Sequence, residues 1–196
     1  IGAGVVGASC ALALTNAGLR VLIIDRGPVA SGTSGAGEGN ILVSDKEPSP
    51  ELTLALRSRN AWFEVNEDIG GGFELDGKGG VVISRSETGI AGLKKLAKAQ
   101  RENGIDAREV NAAELRKLEP HISPTIEYGV YYPQDAQCQP MLAAAQMIRA
   151  VKKRGGKFVQ GENVIAINSK NGQLTGLTTN KNTYSSPIVL NATGTW

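Results

Sequence analysis

The chain is poor in the residues on which several classes of protein depend. It has two cysteines, Cys10 and Cys138, and one histidine among 196 residues. That is too few for a disulfide framework or for a metal site built from cysteine and histidine. The low cysteine content favours a reducing, cytoplasmic location. Glycine or a charged residue interrupts every apolar run before about 20 residues, so no transmembrane helix is predicted.

An excess of charge of one sign is missing as well. The 21 Lys and Arg residues almost balance the 19 Asp and Glu residues, and the formal net charge is +2. This gives no electrostatic reason to expect binding to nucleic acid or to an anionic membrane. With 41% hydrophobic and 20% charged residues, the composition is that of an ordered globular protein with a sizeable core.

Glycine, by contrast, is abundant, and the first glycines form a motif. The chain opens with Ile1-Gly2-Ala3-Gly4-Val5-Val6-Gly7. A helix of small residues is predicted over 5–17, with Gly18 as its stop signal, and a buried apolar strand is predicted over 20–25, ending at Asp25. This order of glycines, helix, strand and terminal acid is the fingerprint of a dinucleotide-binding βαβ unit.

Each position of the motif has a physical role. Gly2 permits a tight turn, Gly4 lets the backbone approach a pyrophosphate, and Gly7 lets the helix pack closely on the strand. The unpaired N–H groups at the helix start attract the phosphates. Asp25 ends the second strand, where a carboxylate can accept hydrogen bonds from the adenosine ribose. A glycine turn in an ordinary β-α-β unit, the simpler interpretation, leaves this acid unexplained.

The rest of the chain predicts a divided domain. A glycine-rich loop over 30–40 follows Asp25 and exposes many backbone N–H groups. Helical patterns over 50–69 and 88–103, a strand over 79–84 and a capping box of Asn111 with Glu114 indicate an inserted α+β region. A helix over 141–151 comes next. Short strands over 157–159 and 164–167, with hairpin turns at 171–172 and 180–182, indicate a β-meander leading to a final buried strand over 188–191.

The expected fold class is therefore α/β, a Rossmann-type nucleotide-binding domain with an inserted α+β region and a β-meander. The expected division is 1–49 for the first part of the nucleotide-binding domain, 50–135 for the insertion, as part of a substrate domain, and 136–196 for the continued nucleotide-binding domain. Only Ile1 stands where a strand of about five residues normally precedes the motif. We therefore expect the sequence to be truncated at both ends and to belong to a larger protein.

Together these motifs resemble the D-amino acid oxidase family of FAD-dependent oxidoreductases, and within it the glycine oxidase and sarcosine oxidase-like members. The resemblance covers the whole chain. The matching segments are Gly2 to Gly7, Asp25-Arg26, Thr33-Ser34 to Glu38-Gly39-Asn40, Gly79-Gly80, Tyr132 to Asp135 with Pro140, Val164, and Asn191 to Trp196.

The resemblance implies a set of contacts to FAD in addition to the three glycines of the motif. The backbone of Val5 and Val6, together with Thr33 and Ser34, would meet the pyrophosphate region, and Asp25 would bind the adenosine ribose.

Further contacts are implied for the two ends of the cofactor. Arg26 would lie on the adenine side, and Val164 would pair its backbone with the adenine. The backbone of Glu38, Gly39 and Asn40 would approach the flavin, and Gly194 would leave room for the cofactor to pass. Family members commonly have a small apolar residue in place of Glu38. A carboxylate there disfavours a nearby anion unless it points to solvent.

The implied chemistry is the oxidation of an amine or amino acid. Hydride passes from the substrate α-carbon to the flavin, and water hydrolyses the resulting imine. The implied partners are this small-molecule substrate and oxygen or another electron acceptor, and an oligomer is compatible with the sequence. In the family an arginine from a later part of the chain holds the substrate carboxylate, so no catalytic residue is predicted. His121, in a loop beside Pro120, is predicted to lie on the surface.

Two other functions are consistent with the opening motif. An NAD-dependent dehydrogenase would use Asp25 equally well. The glycine-rich loop and the long insertion favour FAD over NAD, because an NAD-binding domain usually proceeds directly to further β-α units. A nucleotide-binding subunit or fragment without catalytic activity is the other alternative, since the sequence contains no substrate clamp.

Overall fold

The computed structural model describes all 196 residues, which divide into two compact units. The first unit contains residues 1–39, 68–74 and 139–196, and the second contains residues 40–67 and 75–138. Compared with the division expected from the sequence, residues 40–49 and 136–138 belong to the second unit and residues 68–74 to the first.

Five α-helices and ten strands form these units. The helices are α1 (Val5–Asn16), α2 (Pro50–Ile69), α3 (Glu87–Arg101), α4 (Ala112–Leu118) and α5 (Pro140–Lys153). The strands are β1 (Leu22–Asp25), β2 (Asn40–Ile41), β3 (Gly80–Ile83), β4 (Arg108–Asn111), β5 (Tyr128–Tyr132), β6 (Ala136–Gln137), β7 (Lys157–Gln160), β8 (Val164–Lys170), β9 (Gln173–Thr179) and β10 (Thr183–Ser185). None of the helices combines the length and apolar composition that a membrane span requires.

A small parallel sheet lies at the centre of the first unit. β1 and β7 pair in parallel, with Leu22 opposite Lys157 and Asp25 opposite Gln160. On the other side of β1, the Gly2 amide donates to the Ile24 carbonyl over 2.9 Å. α1 and α5 contact each other, and their buried faces include Ala8, Ala11, Ala143 and Ala144. Small side chains on both helices allow this close approach.

The final strand expected over 188–191 is not formed, and this prediction was wrong. The segment makes only an isolated pairing with the start of the chain, in which the Ile1 amine donates to Leu190 and the Ala192 amide donates to Ile1. Ile188 is 73% exposed. A buried strand needs neighbouring backbone paired along several residues, and the segment 188–191 pairs with Ile1 alone.

The meander is present, but it begins later than expected. β8, β9 and β10 form an antiparallel sheet in that order, with turns at Asn171-Gly172 and over 180–182 as predicted. Asn171 has φ +52° and Gly172 has φ +76°, the left-handed pair that a tight hairpin requires. The segment 157–159 does not belong to the meander, since β7 pairs with β1 instead.

The second unit is an α+β arrangement, as predicted for the inserted region. β5 pairs antiparallel with β3 on one side and with β4 on the other. The core includes Val43, Leu52, Ala97, Ile105 and Val130. The capping box of Asn111 with Glu114 opens α4, which confirms that prediction.

A buried polar network anchors the loop that follows β2 in the second unit. The fully buried Gln100 amide donates to the Ser44 carbonyl over 3.0 Å and to the Lys46 carbonyl over 2.8 Å. The Tyr132 hydroxyl donates to the Gln100 oxygen over 2.8 Å. The Asp135 carboxylate accepts from the Val43 amide over 2.8 Å. The network holds an irregular backbone segment without secondary structure of its own.

Candidate cofactor-binding site

The three glycines of the opening motif have different surroundings. A Cβ on Gly2 would lie 2.3 Å from the Ala192 carbonyl oxygen, and Gly2 has φ +102°. A Cβ on Gly7 would lie 2.1 Å from the Gly2 carbonyl oxygen. A Cβ on Gly4 would meet only the Ser34 side chain, with its Oγ at 3.0 Å. Gly2 and Gly7 are therefore required by the protein's own packing, whereas Gly4 leaves space beside the helix start.

The start of α1 presents backbone donors next to this space. Gly4 is the N-cap and supplies no side-chain cap. The Val5 amide donates to Ser34 Oγ over 3.0 Å, and the amides of Val6 and Gly7 have no acceptor within the protein. Unpaired N–H groups at a helix N-terminus, where the helix dipole is positive, attract anions. The fold thus brings together four of the residues predicted to meet the pyrophosphate, namely Gly4, Val5, Val6 and Ser34.

The Asp25 carboxylate lies at the end of β1, close to the same turn. Its Oδ2 accepts from the Ala3 amide over 2.6 Å, and its Oδ1 accepts from the Gly27 amide over 2.8 Å. A carboxylate has about four acceptor positions, so each oxygen keeps capacity for another donor. The two amides fix the orientation of a half-buried carboxylate that can still accept hydrogen bonds from a ribose.

The other predicted contact residues of the first unit have varied environments. Arg26 stacks its guanidinium over the Trp196 ring, with Cζ 4.8 Å from the centroid. Thr33 opens a 3-10 turn, Thr33–Ala36, within the loop that the sequence predicts to be irregular. Glu38 is exposed. Gly39 has φ +81°, which explains its residue type.

Val164 and Gly194 complete the predicted set in the first unit. Val164 begins β8 opposite Thr179. Gly194 has φ +70° and no atom within 4 Å of the position of a Cβ. Asn40 lies in β2 of the second unit, paired with Gln137. His121 is exposed, as predicted.

Two residues of this region escape sequence reasoning. Trp196 enters the sequence argument only as part of a terminal segment, although its ring lies under Arg26. Glu162 receives no predicted role, although its carboxylate is buried at 6% exposure. Its one sequence signal is a carboxylate directly after Gly161, in the turn that follows β7.

The glycine turn, the helix with free amides and the acid at the end of the adjacent strand define a dinucleotide-binding α/β domain. The chain belongs to the FAD dependent oxidoreductase family, whose match covers residues 1–196. The cofactor predicted from the sequence, FAD, is thus confirmed, as is the predicted Rossmann-type fold class, and the NAD-dependent alternative is not supported.

Known proteins of this family resemble the chain along its full length. Glycine oxidase of Geobacillus kaustophilus is 27% identical over 204 residues, which cover 100% of the chain and 54% of that protein. One subunit of the anaerobic glycerol-3-phosphate dehydrogenase of Escherichia coli is 26% identical, over 100% of the chain and 37% of the relative. The crystal structure of glycine oxidase from Bacillus cereus has a TM-score of 0.90 at 26% identity, over 100% of the chain and 56% of the neighbour. The chain spans about half or less of the length of these proteins.

Proposed function

We propose that the full-length protein containing this chain oxidises a small amine or amino acid with FAD. The observation that carries the proposal is the first unit's arrangement of Gly4, the free amides of α1 and the Asp25 carboxylate around one turn. The similarity to glycine oxidase in sequence and in structure supports an amine as the substrate.

The residues present fit the nucleotide half of FAD. Gly4 leaves the space that a side chain would fill, and the Val6 and Gly7 amides are donors without a protein acceptor. These groups would hold the pyrophosphate. Asp25 would accept hydrogen bonds from the ribose hydroxyls, because both of its oxygens are oriented and keep free acceptor positions. The chemistry that FAD supplies when bound is acceptance of hydride from the carbon that bears the amine.

The remaining predicted contacts are part of the same proposal. Thr33 would contact the pyrophosphate region, and the backbone of Glu38, Gly39 and Asn40 would approach the flavin. Val164 would pair with the adenine, and Arg26 would lie on the adenine side. Glu38 is exposed, so solvent would screen its charge from a nearby anion.

The test begins with the absorbance spectrum of the purified full-length protein. We expect a yellow protein with a flavin band at about 450 nm that releases FAD on denaturation. Glycine, sarcosine, other amino acids of both configurations and glycerol 3-phosphate are then offered under air and with an artificial electron acceptor. After imine hydrolysis a primary amine substrate produces a carbonyl compound and ammonia, and sarcosine produces a carbonyl compound and a primary amine. If the protein oxidises glycerol 3-phosphate but none of the amines, the proposed substrate class is overturned. A protein that neither contains nor binds FAD would overturn the whole proposal.

A further inference from the structure

Glu162 accepts three side-chain hydrogen bonds in the turn between β7 and β8. Its Oε2 accepts from Thr179 Oγ1 over 2.7 Å and from the Tyr184 hydroxyl over 3.1 Å. Its Oε1 accepts from Asn182 Nδ2 over 2.8 Å. A buried carboxylate is costly unless donors surround it, and here the meander supplies all three donors. The arrangement requires an acceptor on both oxygens, which an ionised carboxyl group provides.

Thr179 extends this network into the turn between β9 and β10. Its hydroxyl oxygen accepts from the Lys181 amide over 3.1 Å and from the Asn182 amide over 2.9 Å. A hydroxyl has only one proton, and the shorter of its two possible bonds as a donor leads to Glu162. The carboxylate therefore orients the Thr179 hydroxyl, which in turn holds the loop amides.

The main chain of the same turn is bonded to Asp25. The Gly161 and Glu162 amides both donate to the Asp25 carbonyl oxygen, over 2.8 Å and 3.1 Å. The turn that carries Glu162 is therefore fixed directly to the residue at the end of β1. The carboxylate that orients the meander and the carboxylate proposed to bind ribose are connected by two backbone hydrogen bonds.

Val164 lies two residues after Glu162, and its strand is in register with a member of the same network. Its register partner on β9 is Thr179, the donor to Glu162. The register then shifts, so that Ala166 faces Thr178 and Ile165 has no partner on β9. Such a bulge redirects backbone groups and is frequent beside binding sites. The irregularity falls at the position proposed to pair its backbone with the adenine.

We propose that Glu162 is a positioning residue for adenosine binding, which sets the placement of the Val164 backbone relative to the Asp25 carboxylate. The inference rests on the proposed binding of FAD by the first unit. Glu162 itself need not touch the nucleotide. It acts by joining the start of the meander to the end of β1, so that the two positions that would read adenine and ribose are held as one rigid piece.

The test measures dissociation constants of FAD and ADP for the full-length protein freed of its flavin, together with thermal melting. We expect Glu162→Gln to weaken the binding of both ligands about tenfold, since the charge is lost and an NH2 donor replaces one of the two acceptor oxygens. The dissociation constant should rise by the same factor for FAD and for ADP, because the effect is confined to the adenosine half of the cofactor. Saturating FAD should restore turnover. Glu127→Gln, an exposed glutamate of the second unit, is the matched control and should leave both constants unchanged.

A double-mutant cycle tests the route through Thr179. Thr179→Val should weaken the binding of ADP to a similar extent, and the double variant should lose less than the sum of the two single losses, because both substitutions weaken the hydrogen bond between Thr179 and Glu162. If Glu162→Gln fails to fold, Tyr184→Phe removes only the hydrogen bond from the Tyr184 hydroxyl to Glu162 and should weaken the binding of ADP about threefold. Wild-type affinity for ADP in every folded variant, with only the melting temperature lowered, would overturn the inference. Failure of the unsubstituted protein to bind FAD would instead reject the proposed function.

Discussion

Replacing Asp25 with alanine tests the ribose contact most directly. In the structure the carboxylate has two backbone partners, the amides of Ala3 and Gly27, at 2.6 Å and 2.8 Å. The substitution therefore has two separable effects. It removes the acceptor for the ribose hydroxyls, and it leaves two backbone N–H groups without their partner.

The two effects have different sizes and different measurements. Hydrogen bonds to a charged group contribute about 1.5 to 3 kcal/mol each, so loss of one ribose bond should weaken FAD binding by about 1.5 to 3 kcal/mol, or roughly tenfold to 160-fold. Ala3 is buried, and an unsatisfied buried amide costs about 1 to 3 kcal/mol of the free energy of unfolding. That cost is present without cofactor.

The assay is therefore a pair of titrations on flavin-free full-length protein. Urea denaturation gives the loss in stability, and fluorescence titration with FAD gives the dissociation constant. Asp68→Ala is the matched control, because Asp68 is an aspartate of the same unit that pairs with Arg154 at 2.8 Å and takes no part in the proposed site. An Asp25→Ala protein that is folded and binds FAD with the wild-type constant would refute the assigned contact.

Three further predictions rest on contacts described above. Gly7→Ala should prevent folding, because its Cβ would lie 2.1 Å from the Gly2 carbonyl oxygen. Gly4→Ala should change the free energy of unfolding by no more than about 1 kcal/mol and still weaken FAD binding at least tenfold. Circular dichroism and flavin content measure these effects, and equal effects of the two substitutions on folding would contradict the different roles. Gln100→Leu should lower the free energy of unfolding by about 2 to 4 kcal/mol, because the Ser44 and Lys46 carbonyls lose their buried donor. Urea denaturation measures this loss, and a value below about 0.5 kcal/mol would count against the network. The hydrogen bond from Thr179, with those from Asn182 and Tyr184, lowers the pKa of Glu162 below its ordinary value, so the folded state binds fewer protons than the unfolded state. Its stabilisation is complete above about pH 4.3 and is lost as the pH falls through the lower folded pKa. Melting curves from pH 7 downward should therefore show a shallower acid decline for Glu162→Gln, and parallel declines would contradict this pKa assignment.

Much of the secondary structure could be predicted because its signals are local. The motif from Gly2 to Gly7 specifies a turn and a helix within a few residues, and the capping box of Asn111 and the hairpin at Asn171-Gly172 are equally short-range. Each prediction depends on backbone conformations that the residue types themselves favour. Helix and strand limits were consequently close to those observed.

The features that local pattern does not predict depend on partners far away in the sequence. The apolar run at 188–191 has the pattern of a strand, but pairing requires a neighbour that local pattern does not reveal. The segment at 157–159 precedes β8 and so is predicted to join the meander, whereas its partner is β1, more than a hundred residues earlier. Glu162 gains its role from its contacts with the meander, and Trp196 gains its role from its contact with Arg26. No spacing rule connects such residues.

The hydrogen bond from the Val5 amide to Ser34 Oγ divides the donors at the start of α1 into two kinds. One donor of the helix start is already satisfied by a neutral hydroxyl, while the next two are not. An arriving phosphate can therefore bind the open amides first and engage Val5 later, by displacing or sharing the hydroxyl. Ser34 would thus act as a placeholder acceptor for one amide of the helix start, and the Val6 and Gly7 amides would be open to a phosphate without any displacement.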